Sequence, residues 1–152
     1  LATSIDGAQL TISAFLGGFA IGQLFYGPLA DSFGRKPVIL AGLTMFAVAS
    51  VGCALADSLP ELLAWRMLQA AGGAAGSVVV NALLRDLFEK DAFSRAMSFV
   101  ILVMTLAPLV APVVGGYISA HSDWRVIFWL LVAISLGAIR VFRIRNRLEL
   151  FT

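Results

Sequence analysis

Five long runs of apolar residues dominate the chain, and short polar or charged clusters separate them. The runs cover residues 9–30, 36–56, 60–84, 93–119 and 124–142. A helix of about 20 mostly apolar residues crosses ~30 Å of hydrocarbon, and each run is long enough for that. Strand-like alternation of apolar and polar residues does not persist beyond a few positions. The pattern predicts an all-α integral membrane protein with a bundle of about five transmembrane helices.

The composition favours a membrane protein and excludes an ordinary soluble enzyme. Of the 152 residues, 60% are hydrophobic and 13% are charged, whereas a soluble domain carries about 25% charged residues. The charges are too few to cover the surface of a soluble domain of this size. The one cysteine, Cys53, permits no internal disulfide, and the one histidine, His121, excludes a multi-histidine metal site. We therefore expect no metal, no cofactor and no enzymatic activity.

Lysine and arginine side chains are concentrated at one set of helix ends. One side carries nine of them: Arg35, Lys36, Arg85, Lys90, Arg95, Arg140, Arg143, Arg145 and Arg147. The other side carries only Arg125, and Arg66 lies within a span. Because cytoplasmic loops are enriched in Lys and Arg, we expect residues 31–36, residues 85–92 and the C-terminus to be cytoplasmic. This distribution accounts for the net charge of +2 without nucleic-acid binding.

The end of the chain is the least regular part of the pattern. Arg140 and Arg143 fall where the fifth helix should still cross the membrane. Long arginine stems can reach the headgroups, and a basic end there would favour anionic lipid. The alternative, which the pattern slightly favours, is that residues 140–152 are a truncated or altered terminus.

The loop after the first span places two glycines, an acid and two bases at a tight corner. Gly27 would let another backbone come close, and Gly34 would take the positive φ of a sharp turn. Asp31 would either pair with Arg35 or accept hydrogen bonds from the first amides of a neighbouring helix. Such a contact at the membrane edge would hold one packing of the helices and release another. A simple charged turn is the alternative.

Arg66 lies well inside the third span, where an ionised side chain costs at least ~2.5 kcal/mol on insertion scales. Such a residue is a functional-site hypothesis. We expect Arg66 to face a central cavity and to hold an anionic partner, either a substrate group or a carboxylate that takes up protons. The alternative is a structural arginine that is hydrogen-bonded to carbonyl groups and to Gln69.

Proline and glycine residues mark the fourth span. Pro108 and Pro112 share one helix face, and with Gly115 and Gly116 they predict a bendable, closely packed helix. The pattern does not separate a bend that serves motion from one that serves packing. Small-residue faces also predict close helix packing in the first and third spans, at Gly18, Gly22, Gly72, Gly73 and Gly76.

Taken in order, these motifs resemble those of the major facilitator superfamily. The loop matches the family pattern G-x-L-A-D-x-x-G-R-K at Gly27, Leu29, Ala30, Asp31, Gly34, Arg35 and Lys36. Arg66 and Gln69 resemble the fourth-helix motif, and residues 107–116 resemble the fifth-helix motif of drug antiporters. Ser32, Ala70 and Ala111 depart from the usual residues. From Gly7 to about Ile134, the chain resembles the bicyclomycin-resistance branch of the drug:proton antiporters.

The resemblance implies that the five spans are helices two to six of a twelve-helix transporter of the bacterial inner membrane. Residues 1–152 would then form a partial N-terminal six-helix lobe. The implied function is multidrug efflux by proton antiport with alternating access, which confers antibiotic resistance. The implied partners are the lipid bilayer, small amphipathic drugs, protons and the missing transporter helices. Arg66 and Gln69 would lie on the substrate and proton pathway, and Gly27, Asp31, Gly34, Arg35 and Lys36 would form a conformational switch. Pro108, Pro112, Gly115 and Gly116 would form the antiporter helix motif.

A protonatable acid within the membrane is absent from the pattern, because no Asp or Glu lies deep in the five spans. In the resembled family, such an acid often sits in the first helix. We therefore expect this chain alone not to couple transport to protons. Two alternatives remain open: a non-transporting, truncated membrane protein, and a half-size carrier that acts as a dimer.

Overall fold

The computed structural model describes residues 5–148, and the side chains of residues 5–144, as five consecutive α-helices. The helices are α1 (Ile5–Phe33), α2 (Arg35–Leu55), α3 (Leu59–Leu87), α4 (Lys90–His121) and α5 (Arg125–Leu148). Each contains a stretch long and apolar enough to cross a membrane. The predicted all-α membrane bundle is therefore confirmed. Most of the helices extend past the apolar runs, because backbone hydrogen bonding continues where the hydrophobic sequence ends. The last four residues of the predicted tail lie outside the described residues.

A single glycine separates α1 from α2. Gly34 has a φ of +86°, a backbone conformation that glycine adopts readily because it has no Cβ atom. This is the positive φ that the sequence predicts. Pro37 follows in the first turn of α2, where its missing amide hydrogen has no helical partner to lose. The corner is therefore defined by its local sequence.

Side-chain capping fixes the turn between α2 and α3. The Ser58 hydroxyl accepts a hydrogen bond from the Glu61 amide at 3.4 Å. In return, the Glu61 carboxylate accepts one from the Asp57 amide at 3.3 Å. Pro60 lies in the first turn of α3, where no amide is needed. These contacts satisfy backbone donors that the start of a helix otherwise leaves without partners.

The core of the bundle is formed by α3, which packs along both α1 and α2, and α2 packs in turn along α5. Small residues allow this close approach. A Cβ atom at Gly18 would overlap the backbone carbonyl of Met67, and one at Gly22 would lie 2.8 Å from the Ala74 Cβ atom. A Cβ atom at Gly72 would likewise collide with the α2 backbone. The predicted small-residue packing is confirmed at these three glycines.

Other predicted close approaches are not found among the described residues. A Cβ atom at Gly27 or Gly76 would meet nothing within 4 Å. The prediction that Gly27 admits another backbone is therefore wrong for this part of the chain, because no described helix covers that face of α1. A Cβ atom at Gly73 would lie at an ordinary contact distance of 3.4 Å from the Phe46 ring.

Helix α4 stands apart from the core. None of its residues is buried within the described structure, and it meets α3 and α5 only over short stretches. Pro108 and Pro112 lie inside this continuous helix. Cβ atoms at Gly115 or Gly116 would meet nothing within 4 Å of the described chain. The close packing predicted for these glycines is therefore not made by α1, α2, α3 or α5.

Two ion pairs lie at opposite ends of the bundle, and each shows which helix ends lie side by side there. Arg35, at the start of α2, pairs with Asp86 near the end of α3. At the other end, Nη2 of Arg125 lies 3.0 Å from Oδ1 of Asp57, which joins the start of α5 to the α2–α3 turn. We call the first the basic end, because Lys36 and Arg85 also lie there. Which end faces the cytoplasm stays a prediction.

Candidate functional site

The Arg66 side chain, about two turns into α3, lies between a phenylalanine of α1 and one of α5. It is half-buried. Its Cζ atom is 4.6 Å from the ring centroid of Phe15 on α1 and 5.6 Å from that of Phe128 on α5. A guanidinium group is attracted to aromatic faces at such distances. The charge therefore has an aromatic lining contributed by two neighbouring helices.

A hydrogen-bond chain extends from Arg66 into the core. Nη1 of Arg66 donates to Oε1 of Gln69 at 2.7 Å, and Nε2 of Gln69 donates to the Ser50 hydroxyl at 2.7 Å. The side chains of Gln69 and Ser50 are fully buried. The structure thus brings together Arg66 and Gln69, which the sequence singles out. It also adds Ser50 on α2, which sequence reasoning missed.

An open cavity of about 310 Å³ lies beside the guanidinium group. Its lining comes from α1, α3, the start of α5 and the residue before α5: Gly7, Ala8, Thr11, Leu62, Arg66, Trp124, Ile127, Phe128 and Leu131. Small-molecule sites are commonly apolar cavities of roughly 300–1,000 Å³ with a few polar groups. Within the described chain, Arg66 supplies the charge in this lining, and no carboxylate contributes to it. The cavity suits a small, largely apolar molecule that carries a hydrogen-bond acceptor.

The predicted switch loop lies at the basic end of the bundle. Its arginine, Arg35, forms an ion pair with Asp86 and donates to the backbone carbonyl of Ala82. Asp31 is exposed and forms no ion pair with any residue from 5 to 144. The predicted pairing of Asp31 with Arg35 is therefore not formed, because Arg35 pairs with Asp86. Lys36 is also exposed.

The three groups of predicted site residues lie in three places. Nineteen positions of α3 separate Arg66 from Arg85 at the basic end, a distance of about 28 Å along the helix axis. The proline–glycine motif lies on α4, which contributes nothing to the lining around Arg66. No residue of one group therefore contacts a residue of another within the described chain.

Sequence reasoning missed several residues of these sites. Phe15 and Phe128 gave no local signal, because aromatic residues are common in membrane helices and their meeting with Arg66 depends on tertiary packing. Ser50 likewise gave no local signal, because its contact with Gln69 depends on how α2 and α3 pack. Asp86 did leave a signal, since it is an acid at the end of the third span beside the loop that contains Arg35.

Residues 1–149 match the sequence profile of the Major Facilitator Superfamily, and the chain therefore belongs to this family of membrane transporters. Among its relatives is the bicyclomycin resistance protein homolog of Haemophilus influenzae, which is 45% identical over 138 residues. That match covers 91% of this chain and 35% of the relative. Multidrug resistance protein D of Escherichia coli is 34% identical over 129 residues, which cover 85% of this chain and 33% of the relative.

A third relative gives a similar result. The uncharacterized MFS-type transporter YdgK of Bacillus subtilis is 36% identical over 151 residues, which cover 98% of this chain and 37% of the relative. The chain thus spans about a third of the length of the curated relatives it matches. The resemblance drawn from the motifs is confirmed at the level of the family and of its drug-resistance members.

Proposed function

We propose that this chain is part of the N-terminal six-helix lobe of a bacterial drug:proton antiporter that exports small amphipathic molecules by alternating access. The observation that carries the proposal is the position of Arg66 beside an open, mostly apolar cavity of the helix bundle. Two relatives named for bicyclomycin and multidrug resistance support the substrate class.

Arg66 binds the substrate in this proposal, and the buried Gln69 holds its guanidinium group in place. The guanidinium group offers only hydrogen-bond donors, so it suits carbonyl, hydroxyl or anionic oxygens on the molecule that is exported. Phe128 and Trp124 supply apolar contact area beside it. A mostly apolar lining with few polar groups tolerates molecules of different shape, as multidrug export requires.

Proton coupling needs a second group. Because no carboxylate of the described chain lines the cavity, the acid that takes up protons would come from a part of the transporter that this chain does not cover. Antiport requires the proton and the substrate to occupy the site in turn: the substrate binds beside Arg66 while that acid is ionised, and protonation of the acid releases the substrate.

The other two motifs serve the change between inward- and outward-facing states. Asp31 at the basic end pairs with the rest of the transporter in one state and separates from it in the other. Its loop lies on the cytoplasmic side, and the α2–α3 turn lies on the outer side. Helix α4 packs against further helices through its open sides, and Pro108, Pro112, Gly115 and Gly116 let it bend.

A chimera tests this proposal. The chain would replace the matched segment of the Haemophilus influenzae relative, and bicyclomycin accumulation would be measured in energised cells that express the chimera or the 152-residue chain alone. We expect the chimera to lower accumulation, a protonophore to abolish that effect, and the chain alone to have none. Export by the chain alone would instead indicate a half-size carrier. An inserted but inactive chimera would favour a non-transporting protein.

A further inference from the structure

The hydrogen bonds that lead away from Arg66 all point in one direction. The Ser50 hydroxyl donates to the Phe46 carbonyl of its own helix at 2.7 Å. The same oxygen accepts from Nε2 of Gln69, whose Oε1 accepts from Arg66. Ser50 and Gln69 are both 0% exposed, so water does not substitute for either partner. Every buried polar side-chain atom of the described chain has a partner.

This direction follows from the number of protons on each group. A serine hydroxyl carries one proton, and that of Ser50 is used on the Phe46 carbonyl. Towards Gln69, the oxygen therefore acts only as an acceptor. Arginine at the other end of the chain has donors and no acceptor. While the hydroxyl stays on the Phe46 carbonyl, the amide of Gln69 satisfies both neighbours in one orientation alone, with its nitrogen towards α2 and its oxygen towards Arg66.

The reversed amide would be unfavourable beside Arg66, because its NH₂ group would face the guanidinium donors. Its carbonyl oxygen would be satisfied only if the Ser50 hydroxyl turned away from the Phe46 carbonyl. In a buried site, unpaired polar groups are costly. By accepting from Nε2, the Ser50 hydroxyl thus holds the Gln69 amide in the orientation that Arg66 requires.

We propose that Ser50 is a positioning residue for Arg66: by fixing the orientation of the Gln69 amide, it holds the guanidinium group at the cavity. The transport consequence rests on the proposed function of Arg66, whereas the orientation of Gln69 does not. Ser50 itself does not line the cavity. Its effect on transport therefore passes entirely through Gln69.

The substitution of Gln69 by glutamate separates this role from simple packing. A carboxylate presents an oxygen to Arg66 whichever way it is rotated, so it needs no partner to orient it. In the chimera defined above, we expect Ser50→Ala to raise the apparent KM for bicyclomycin about tenfold, the order expected for a lost hydrogen bond in a charged chain. In the Gln69→Glu background, the same substitution should change KM less than twofold relative to that background. Equal effects in both backgrounds would overturn the proposal.

Two further variants control for folding. Ser50→Thr keeps a hydroxyl group and should recover most of the affinity at a comparable membrane level of the protein. Ser77→Ala removes a hydroxyl that bonds only to the Ala74 carbonyl of its own helix, and it should leave KM unchanged. If Ser77→Ala and Ser50→Ala raise KM equally, the effect belongs to the loss of any helical serine hydroxyl and the proposal fails.

An NMR measurement that needs no transport tests the positioning role of Ser50 separately from the proposed function of Arg66. The chain contains three glutamines, and Gln9 and Gln23 on α1 serve as internal references. In the 152-residue chain in lipid nanodiscs with ¹⁵N-labelled glutamine, Ser50→Ala should shift and broaden the Gln69 side-chain amide signals and leave the other two unchanged. Unchanged Gln69 signals would overturn the proposal. If these signals change but Arg66→Ala leaves export intact, the positioning role stands and the proposed function fails.

Discussion

Arg35 pairs with Asp86 across the basic end of the bundle, and not with Asp31 four residues before it in the sequence. The pair joins the first turn of α2 to the last turn of α3, and Arg35 also binds the carbonyl of Ala82 just before that turn. A cation at the C-terminal end of a helix is favoured by the carbonyl groups that lack helical partners there. The two acids near Arg35 therefore differ in their contacts. Asp86 holds the helices together, and Asp31 is left exposed.

We expect Asp86→Asn to lower the free energy of unfolding by about 0.2–1 kcal/mol, the range for a largely solvent-exposed ion pair. The side chain of Asp86 is 58% exposed, which keeps the effect small. Arg35→Ala should cost more, because it also removes the bond to the Ala82 carbonyl. Thermal unfolding of the chain in lipid nanodiscs checks this order. Since exposed charges are screened by salt, 1 M salt should reduce the effect of Asp86→Asn. A larger loss for Asp86→Asn than for Arg35→Ala would contradict the arrangement.

In contrast to Asp86→Asn, Asp31→Asn should affect transport and leave stability unchanged. Because Asp31 forms no ion pair with the described residues, its substitution should leave the unfolding temperature of the chain unchanged. In the chimera, the same substitution should abolish bicyclomycin export while the protein stays inserted, as the proposed switch requires. Undiminished export by Asp31→Asn at normal expression would exclude a switch role for this acid.

Two adjacent glycines of α1 provide a matched test of helix packing. A Cβ atom at Gly18 would overlap the Met67 carbonyl, whereas one at Gly17 would meet nothing within 4 Å of the described chain. Gly18→Ala should therefore destabilise the protein by about 1–3 kcal/mol, as overpacking of a tight contact does. Gly17→Ala should be neutral or slightly stabilising, because alanine is the better helix former. Equal unfolding temperatures for the two variants would show that α1 and α3 are not this close.

The orientation in the membrane can be measured by cysteine labelling in intact cells. Ser58 in the α2–α3 turn and Ser32 before Gly34 are both exposed, so a difference in labelling reports the side of the membrane and not burial. Cysteine at position 58 should react with an impermeant thiol reagent, and cysteine at position 32 should not. The unmodified chain is the control, because its Cys53 is buried. The reverse pattern would contradict the orientation inferred from the Lys and Arg residues.

The number and type of the helices could be predicted from the sequence because membrane insertion depends on apolar length, which is a local property. Local chemistry also predicts the Gly34 corner, where a single glycine must take a positive φ. The partner of Arg35 could not be predicted in the same way. Asp31 is nearer in the sequence, but the choice depends on how far the end of α3 reaches beside α2.

The candidate site was predicted only in part, for the same reason. Arg66 and Gln69 lie one turn apart on a single helix, so their spacing alone brings them together. Ser50, Phe15 and Phe128 come from three other helices, and their contacts depend on which faces pack. The open sides of α4 were likewise not predictable, because an apolar face suits both lipid and a neighbouring helix.

The most direct test of the proposed mechanism is bicyclomycin accumulation in energised cells that express the chimera with Arg66→Ala or Arg66→Lys. Arg66→Ala should abolish proton-coupled export. Arg66→Lys should restore it only partly, because an ammonium group lacks the planar fork of donors that holds Gln69 and the substrate together. Membrane levels of both variants should equal that of the unmodified chimera. Full export by Arg66→Ala at an equal membrane level would contradict the account.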